Sequence, residues 1–382
     1  MSATVGVSGT TQGGFEHLRS VFENLLREDP HYGAELSVYH HGEKVADLWG
    51  GKDARANVVH PVYSSTKGAA AFVVATLVDE GLLNLDTTVA RYWPQFAAED
   101  KGNVTVRQLL SHQAGLVSAE GLTASDILDS ESAARKLAAA RPAWRPGAAV
   151  GYHGLTIGVL MEELVRRVSS VSLQSLYESR IRASRGIDFY LGLPAMEDAR
   201  FSKPGPAALP TSDAQSDPPL FDDLAAFTFS SMHRPFDPNA GDLDFDRTEV
   251  RTAGFAAGGG VGSADGLARL YSAALGDIGT PFVRPSTMRD FAQTQVWGRD
   301  LVLSAWRSFG IVFATPNPDD PFGSHEAFGH PGAGGSMAFA DPLYGLAFGY
   351  IPTPDDPFEE GARRVRTLSE AARRCARNAG QL

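Results

Sequence analysis

Ser64 and Lys67 stand three residues apart in the run SSTKG at 64–68. On a helix that spacing puts a hydroxyl and an ammonium on one face, and a helix N-terminus at the same point favours developing negative charge. A lysine in a dry cleft can lose its proton near neutral pH and serve the hydroxyl as a base. The same residues also fit a serine that caps the helix and a lysine on its surface, and the pair alone leaves both readings open. A second candidate is Tyr152 in WRPGAAVGYHG at 144–154, after a Pro-Gly turn and before a long apolar run. A tyrosine held beside a lysine could relay a proton to or from a serine oxygen or a leaving group. Its alternative is a ring packed on a helix start. The third is FGHPGAGGS at 328–336, where so many glycines let a ligand approach the backbone closely. A backbone N–H there could form half of an oxyanion hole, and the alternative is a hairpin turn.

These residues need rigid elements to hold them. Residues 67–83 read as a strong helix that stops near Gly81, so Ser64 sits where that helix begins. Phe15, Leu18, Phe22, Leu25 and Leu26 form the stripe of an amphipathic helix over 15–27, and two near-alternating runs around His41-Gly42 predict a hairpin. Thr105 and Gln108 predict a capping box, and 155–168 and 264–275 two further helices. Segments 309–314, 336–340 and 345–351 are strand candidates, and 361–378 a closing helix. Residues 194–246, rich in Pro and Asp, read as an irregular excursion forming one wall of a cleft. The two chain ends therefore predict one sheet domain from 1–63 and 302–382, with 64–301 as a mainly helical inserted domain and the ligand site between them.

Composition narrows the function classes. The chain has 382 residues, of which 43% are hydrophobic and 21% charged, and a net charge of −11. That is ordinary globular usage, and the sign repels phosphate backbones and anionic lipid, so neither nucleic acid nor a membrane is the expected partner. One cysteine, Cys375, excludes an internal disulfide framework. The absence of an apolar 20-residue span and of a basic, apolar start at the N-terminus predicts a cytoplasmic protein. The motifs G-x-S-x-G, H-E-x-x-H and G-x-x-x-x-G-K-[ST] are missing, and no histidine pair sits at metal spacing on a convincing helix face. No cofactor or metal is expected. The arginines between 363 and 377 read as the solvated face of the closing helix, whose apolar stripe carries Cys375.

Taken in order, S-x-x-K, the tyrosine motif and the late glycine-rich strand resemble the penicillin-recognising serine hydrolases. SSTKG at 64–68, LLSHQAGL at 109–116 and the Arg145-Pro-Gly147 turn before Tyr152 are similar to the class C β-lactamase branch and, within it, to the family VIII carboxylesterases. The resemblance spans nearly the whole chain. It implies an α/β (α+β) fold of the β-lactamase/transpeptidase type, with an antiparallel sheet and a helical domain. It further implies Ser64 as acylated nucleophile, Lys67 as its base and Tyr152 as proton relay, and leaves open which of the last two takes the first proton. The N–H groups of Ser64 and Ala333 would form the oxyanion hole, with His330 and Gly332 around the substrate. Apart from the resemblance, Trp49, Trp93, Trp297 and Trp306 are expected to pack, and Trp144, close to Tyr152, to line the cleft. Gly154 stands where penicillin-active relatives carry Asn, and His330 where they carry Lys. Two groups that anchor an acylamino-carboxylate are thus changed while the acyl-transfer residues remain, which predicts a small neutral ester as substrate. An acyltransferase of the same fold, or an inactive ligand-binding homologue, are the alternatives.

Overall fold

The helix and hairpin expected at the N-terminus form in the computed structural model, which describes residues 6–203, 205 and 243–379. A first strand, β1 (Val7–Thr11), leads into α1 (Glu16–Glu28), whose buried stripe is Leu18, Phe22, Leu25 and Leu26. Strands β2 (Gly33–His40) and β3 (Glu43–Gly51) follow as the hairpin. Its two-residue turn has φ of 48° at His41 and 82° at Gly42, the left-handed pair that matches the twist of the flanking strands.

The middle of the chain begins with the short strand β4 (His60–Pro61) and the helix α2 (Thr66–Asp79). Every α2 residue from Thr66 to Leu77 is buried, as expected of a helix apolar all round. Its small residues let neighbours come close, and a Cβ on Gly68 would lie 2.1 Å from Tyr271 Oη. The capping box at Thr105 and Gln108 is present and starts the short helix Val106–Leu110. Then come α3 (Thr156–Ser169), β5 (Phe189–Leu191), β6 (Gly260–Gly262) and α4 (Ala264–Ala274), the last capped by Ser263. The excursion expected at 194–246 falls mainly outside the described residues.

Toward the C-terminus run β7 (Val296–Arg299), β8 (Trp306–Phe309), β9 (Phe328–Pro331), β10 (Met337–Asp341), β11 (Leu346–Pro352) and α5 (Phe358–Ala379). The main sheet is antiparallel in the order β1-β3-β2-β11-β10-β9, so the two chain ends meet where β2 pairs with β11. Helices α1 and α5 pack together against the sheet, and α4 packs against β2, β10 and β11. With neighbours of this kind, β2 has all but its last residue buried and β11 is buried throughout. A smaller sheet, β4-β6-β5, leads the chain into the turn that carries Ser64.

Four expectations are corrected. Helix α4 lies within 64–301 yet packs on the sheet rather than only among helices. Residues 310–313 form a turn and not a strand: Gly310 N–H donates to the Phe313 carbonyl and Val312 has φ 68°. Arg364 does not face solvent. It is buried over the Tyr32 ring and paired with Asp29 and Asp356, because the closing helix is covered on a wider arc than its apolar stripe indicates. Trp297 and Trp306, expected to pack, are exposed and meet each other as a tilted pair with ring centroids 5.1 Å apart. Cys375 is buried on its stripe, and no helix among the described residues is long and apolar enough to cross a membrane.

Candidate active site

Ser64 lies in a single 3-10 turn, Tyr63–Ser65, directly before α2. Tyr63 holds a left-handed φ of 47°, a conformation that costs energy for a non-glycine residue and turns the chain sharply into the helix. One helical turn later Lys67 points back. Its Nζ donates to Ser64 Oγ at 2.8 Å and to the Ala257 carbonyl at 2.7 Å. Tyr152, between the 144–147 turn and α3, donates from Oη to the same Ser64 Oγ at 2.9 Å. Two side chains, 3 and 88 positions away, thus converge on one oxygen.

Burial shifts Lys67 and Tyr152 in opposite directions. Lys67 has no exposed surface and pairs with no carboxylate among the described residues, so desolvation holds its amine well below the usual lysine range. Desolvation also raises the Tyr152 phenol above its ordinary value; the nearby Asp300 carboxylate adds to this and the Ser64 hydrogen bond opposes it. Near neutral pH these directions favour a free amine and an un-ionised phenol. Lys67 Nζ also lies 5.0 Å from the centroid of the Tyr152 ring, which stacks on Phe309.

The supporting groups are mostly backbone, and sequence reasoning missed them. The Ala257 carbonyl that receives Lys67 sits in a segment clamped by α3. A Cβ on Gly158 would lie 2.4 Å from the Ala257 nitrogen, and the buried Glu162 accepts the Ala256 N–H at 2.9 Å. Asp300, whose carboxylate helps to raise the Tyr152 phenol, accepts the N–H groups of Val302 and Leu303. His112, from the LLSHQAGL run, packs against Tyr152 and Phe309, and its Nδ1 accepts the His153 N–H at 3.0 Å. Of these, only that run drew notice in the sequence; a backbone carbonyl has no residue type to detect.

A cavity of about 260 Å³ opens over Ser64 Oγ. Leu155, Leu243, Phe245, Phe255, Leu303, Phe309 and Ala314 give it an apolar lining, with Arg307 and Asp320 on the wall. His330, Gly332 and Ala333 line it as well. The His330 imidazole is buried and pushed down to about 3, chiefly by desolvation, so it is neutral at pH 7. Its Nδ1 donates to the Pro331 carbonyl. Gly332 is required where it is, since a Cβ would meet Ser336 Oγ at 2.2 Å and the Val62 carbonyl at 2.3 Å. Trp144 corrects its expectation: it is absent from the cavity lining, lies against Gly151 and His153, and donates from Nε1 to the Gln113 carbonyl. Among the described residues no cluster of His, Cys, Asp and Glu could hold a metal ion.

The profile described as Beta-lactamase matches residues 18–373. Esterase/beta-lactamase LipL of Mycobacterium tuberculosis is 32% identical over 355 residues, which are 84% of this chain and 76% of that protein. Among solved structures, EstA from Arthrobacter nitroguajacolicus is 41% identical with a TM-score of 0.87, covering 97% of this chain and 99% of its own. A family VIII carboxylesterase is 31% identical with a TM-score of 0.83, covering 97% and 100%.

Proposed function

The chain belongs to the beta-lactamase family, and from that premise we propose that it is a serine carboxylesterase that hydrolyses small neutral esters through an acyl-enzyme on Ser64. The observation that carries the reading is the convergence of Lys67 Nζ and Tyr152 Oη on Ser64 Oγ, at 2.8 and 2.9 Å, on the wall of an apolar cavity.

The opposite shifts of the two groups support distinct roles for them. Neutral Lys67 takes the Ser64 proton as Oγ attacks the ester carbonyl carbon. The oxyanion that forms is held by the backbone N–H groups of Ser64 and Ala333. Collapse breaks the bond to the leaving alkoxide, which takes the Tyr152 proton, and the Lys67 ammonium then neutralises the phenolate. Water repeats the sequence in reverse on the acyl-enzyme: its proton passes to the restored base, and Ser64 Oγ leaves as the hydroxyl. The apolar lining and the neutral His330 favour an uncharged acyl group over the carboxylate of a β-lactam, and the charge of Arg307 on the wall is offset by the neighbouring Asp320.

Intact-mass spectrometry after brief exposure to a chromogenic short-chain ester, with peptide mapping, tests this. The expected result is an acyl adduct on Ser64 together with chromophore release. Release without an adduct on Ser64, or no release with esters, phosphonates and penicillins alike, would overturn it. Repeating the reaction with an added alcohol separates hydrolysis from acyl transfer by the product formed.

A further inference from the structure

Two loops must stay at a fixed separation for the chemistry above. One is the turn with Ser64, the other the 332–336 loop with Ala333, some 270 residues later in the chain. On the β10 side they are stitched by serines: Ser65 Oγ donates to the His330 carbonyl at 3.0 Å and meets Ser336 Oγ at 3.1 Å, and Ser336 Oγ donates to the Val62 carbonyl at 2.9 Å.

A second link uses a carboxylate. Tyr63, the residue before Ser64, donates from Oη to Asp355 Oδ2 at 3.0 Å. The other carboxylate oxygen of Asp355 lies under the residue after Ala333. Gly334 has φ 79°, and a Cβ there would sit 2.6 Å from Asp355 Oδ1. The next residue, Asp356, donates its N–H to the Gly334 carbonyl at 2.8 Å and is itself anchored in the buried ion pair with Arg364. One short segment after β11 therefore touches the immediate chain neighbours of both oxyanion donors.

We propose that Asp355 is a positioning residue, which sets the distance between the backbone N–H groups of Ser64 and Ala333 by holding Tyr63 on one oxygen and the Gly334 backbone against the other. The inference rests on the acyl-enzyme reading given above. It predicts an effect concentrated in the transition state, because a misplaced oxyanion donor costs little in the ground state and about 10²–10³-fold in rate.

The experiment compares wild type, Asp355→Ala, Asp355→Asn and Tyr63→Phe by steady-state kinetics on one chromogenic ester. Each protein is also titrated with an arylboronic acid, whose tetrahedral adduct on Ser64 places an oxygen where the oxyanion forms. Asp355→Ala is expected to lower kcat about 10²-fold and weaken boronate affinity by a similar factor, with KM within about threefold. Asp355→Asn keeps an oxygen to accept from Tyr63 and is expected to recover most of that loss. Tyr63→Phe loses about tenfold in both quantities. A folded Asp355→Ala that keeps wild-type kcat and boronate affinity overturns the proposal, and so does a fall in kcat with unchanged boronate affinity. If Asp355→Ala does not fold, Tyr63→Phe decides by the same two quantities. A wild-type protein that forms no adduct on Ser64 fails the acyl-enzyme reading instead, which keeps the two failures distinct.

Discussion

Two lysines in this chain are removed from solvent, Lys67 and Lys101, and they do different things. Lys101 lies in the 3-10 turn Lys101–Asn103, donates to the carbonyls of Ala98 and Ala140, and sits over the Phe96 ring. Lys67 makes one carbonyl contact of the same kind, to Ala257, and spends its second donor position on the hydroxyl of Ser64 beside the cavity. Burial lowers the pKa of both, more strongly for Lys67; Glu99 partly restores that of Lys101. Desolvation alone therefore does not make a base. What separates the two is the partner: carbonyl oxygens can only accept, whereas a serine hydroxyl has a proton to give.

The largest effect that would break this comparison is on Ser64 itself. Ser64→Ala is expected to cut ester turnover about 10⁴-fold or more with little change in melting temperature; retention of most activity would void the assignment. Lys67→Met should follow, with a loss of about 10²–10⁴-fold, while Lys101→Met should leave kcat within about twofold. The stability of Lys101→Met should instead fall by about 1–3 kcal/mol, measured by urea denaturation, because two carbonyls lose their donor. Tyr152→Phe keeps the ring against Phe309 and removes the leaving-group proton, so kcat should drop about 10²-fold at nearly constant fold stability.

The smallest effect is a dependence on pH. Each buried amine binds fewer protons in the folded chain than in the unfolded one, so its burial penalty is fully present below the folded pKa and vanishes as pH rises to the ordinary lysine value of 10.5. Wild-type stability relative to Lys67→Met should therefore rise with pH over that window. The same difference taken against Lys101→Met should rise less steeply. Equal slopes, measured by denaturation at several pH values, would show that the two sites are desolvated alike.

Side-chain chemistry tied to local spacing was legible in the sequence. Ser64 and Lys67 stand out because i and i+3 share a helix face, and the amphipathic stripe of α1 and the Thr105 capping box are likewise short-range signals. Tyr152 needed the ordered pattern of three motifs, since nothing local marks a tyrosine at the start of a helix. What stayed hidden depends on long-range backbone contact. The Ala257 carbonyl, the Asp300 carboxylate behind Tyr152 and Asp355 beside Gly334 are fixed by approaches between distant segments. Arg364 was misread for a related reason: helix periodicity shows which face is apolar, not how far a neighbouring loop such as 354–356 wraps around it. Trp144 and the exposed Trp297–Trp306 pair show that an aromatic residue type does not disclose its surroundings.

The pairing of β2 with β11 also has a consequence for how the chain comes into being. On a ribosome adding about 5–20 residues per second, the roughly 300 residues between the partners take about 15–60 s to appear. For that interval the β2–β3 hairpin has emerged with one long edge unpaired, a template for another chain. The 332–336 loop, proposed to supply half of the oxyanion hole, is also among the last parts to be made. A nascent chain thus carries Ser64, the proposed nucleophile, long before it carries the loop proposed to serve it, and the same late strand that completes the sheet closes the edge against aggregation.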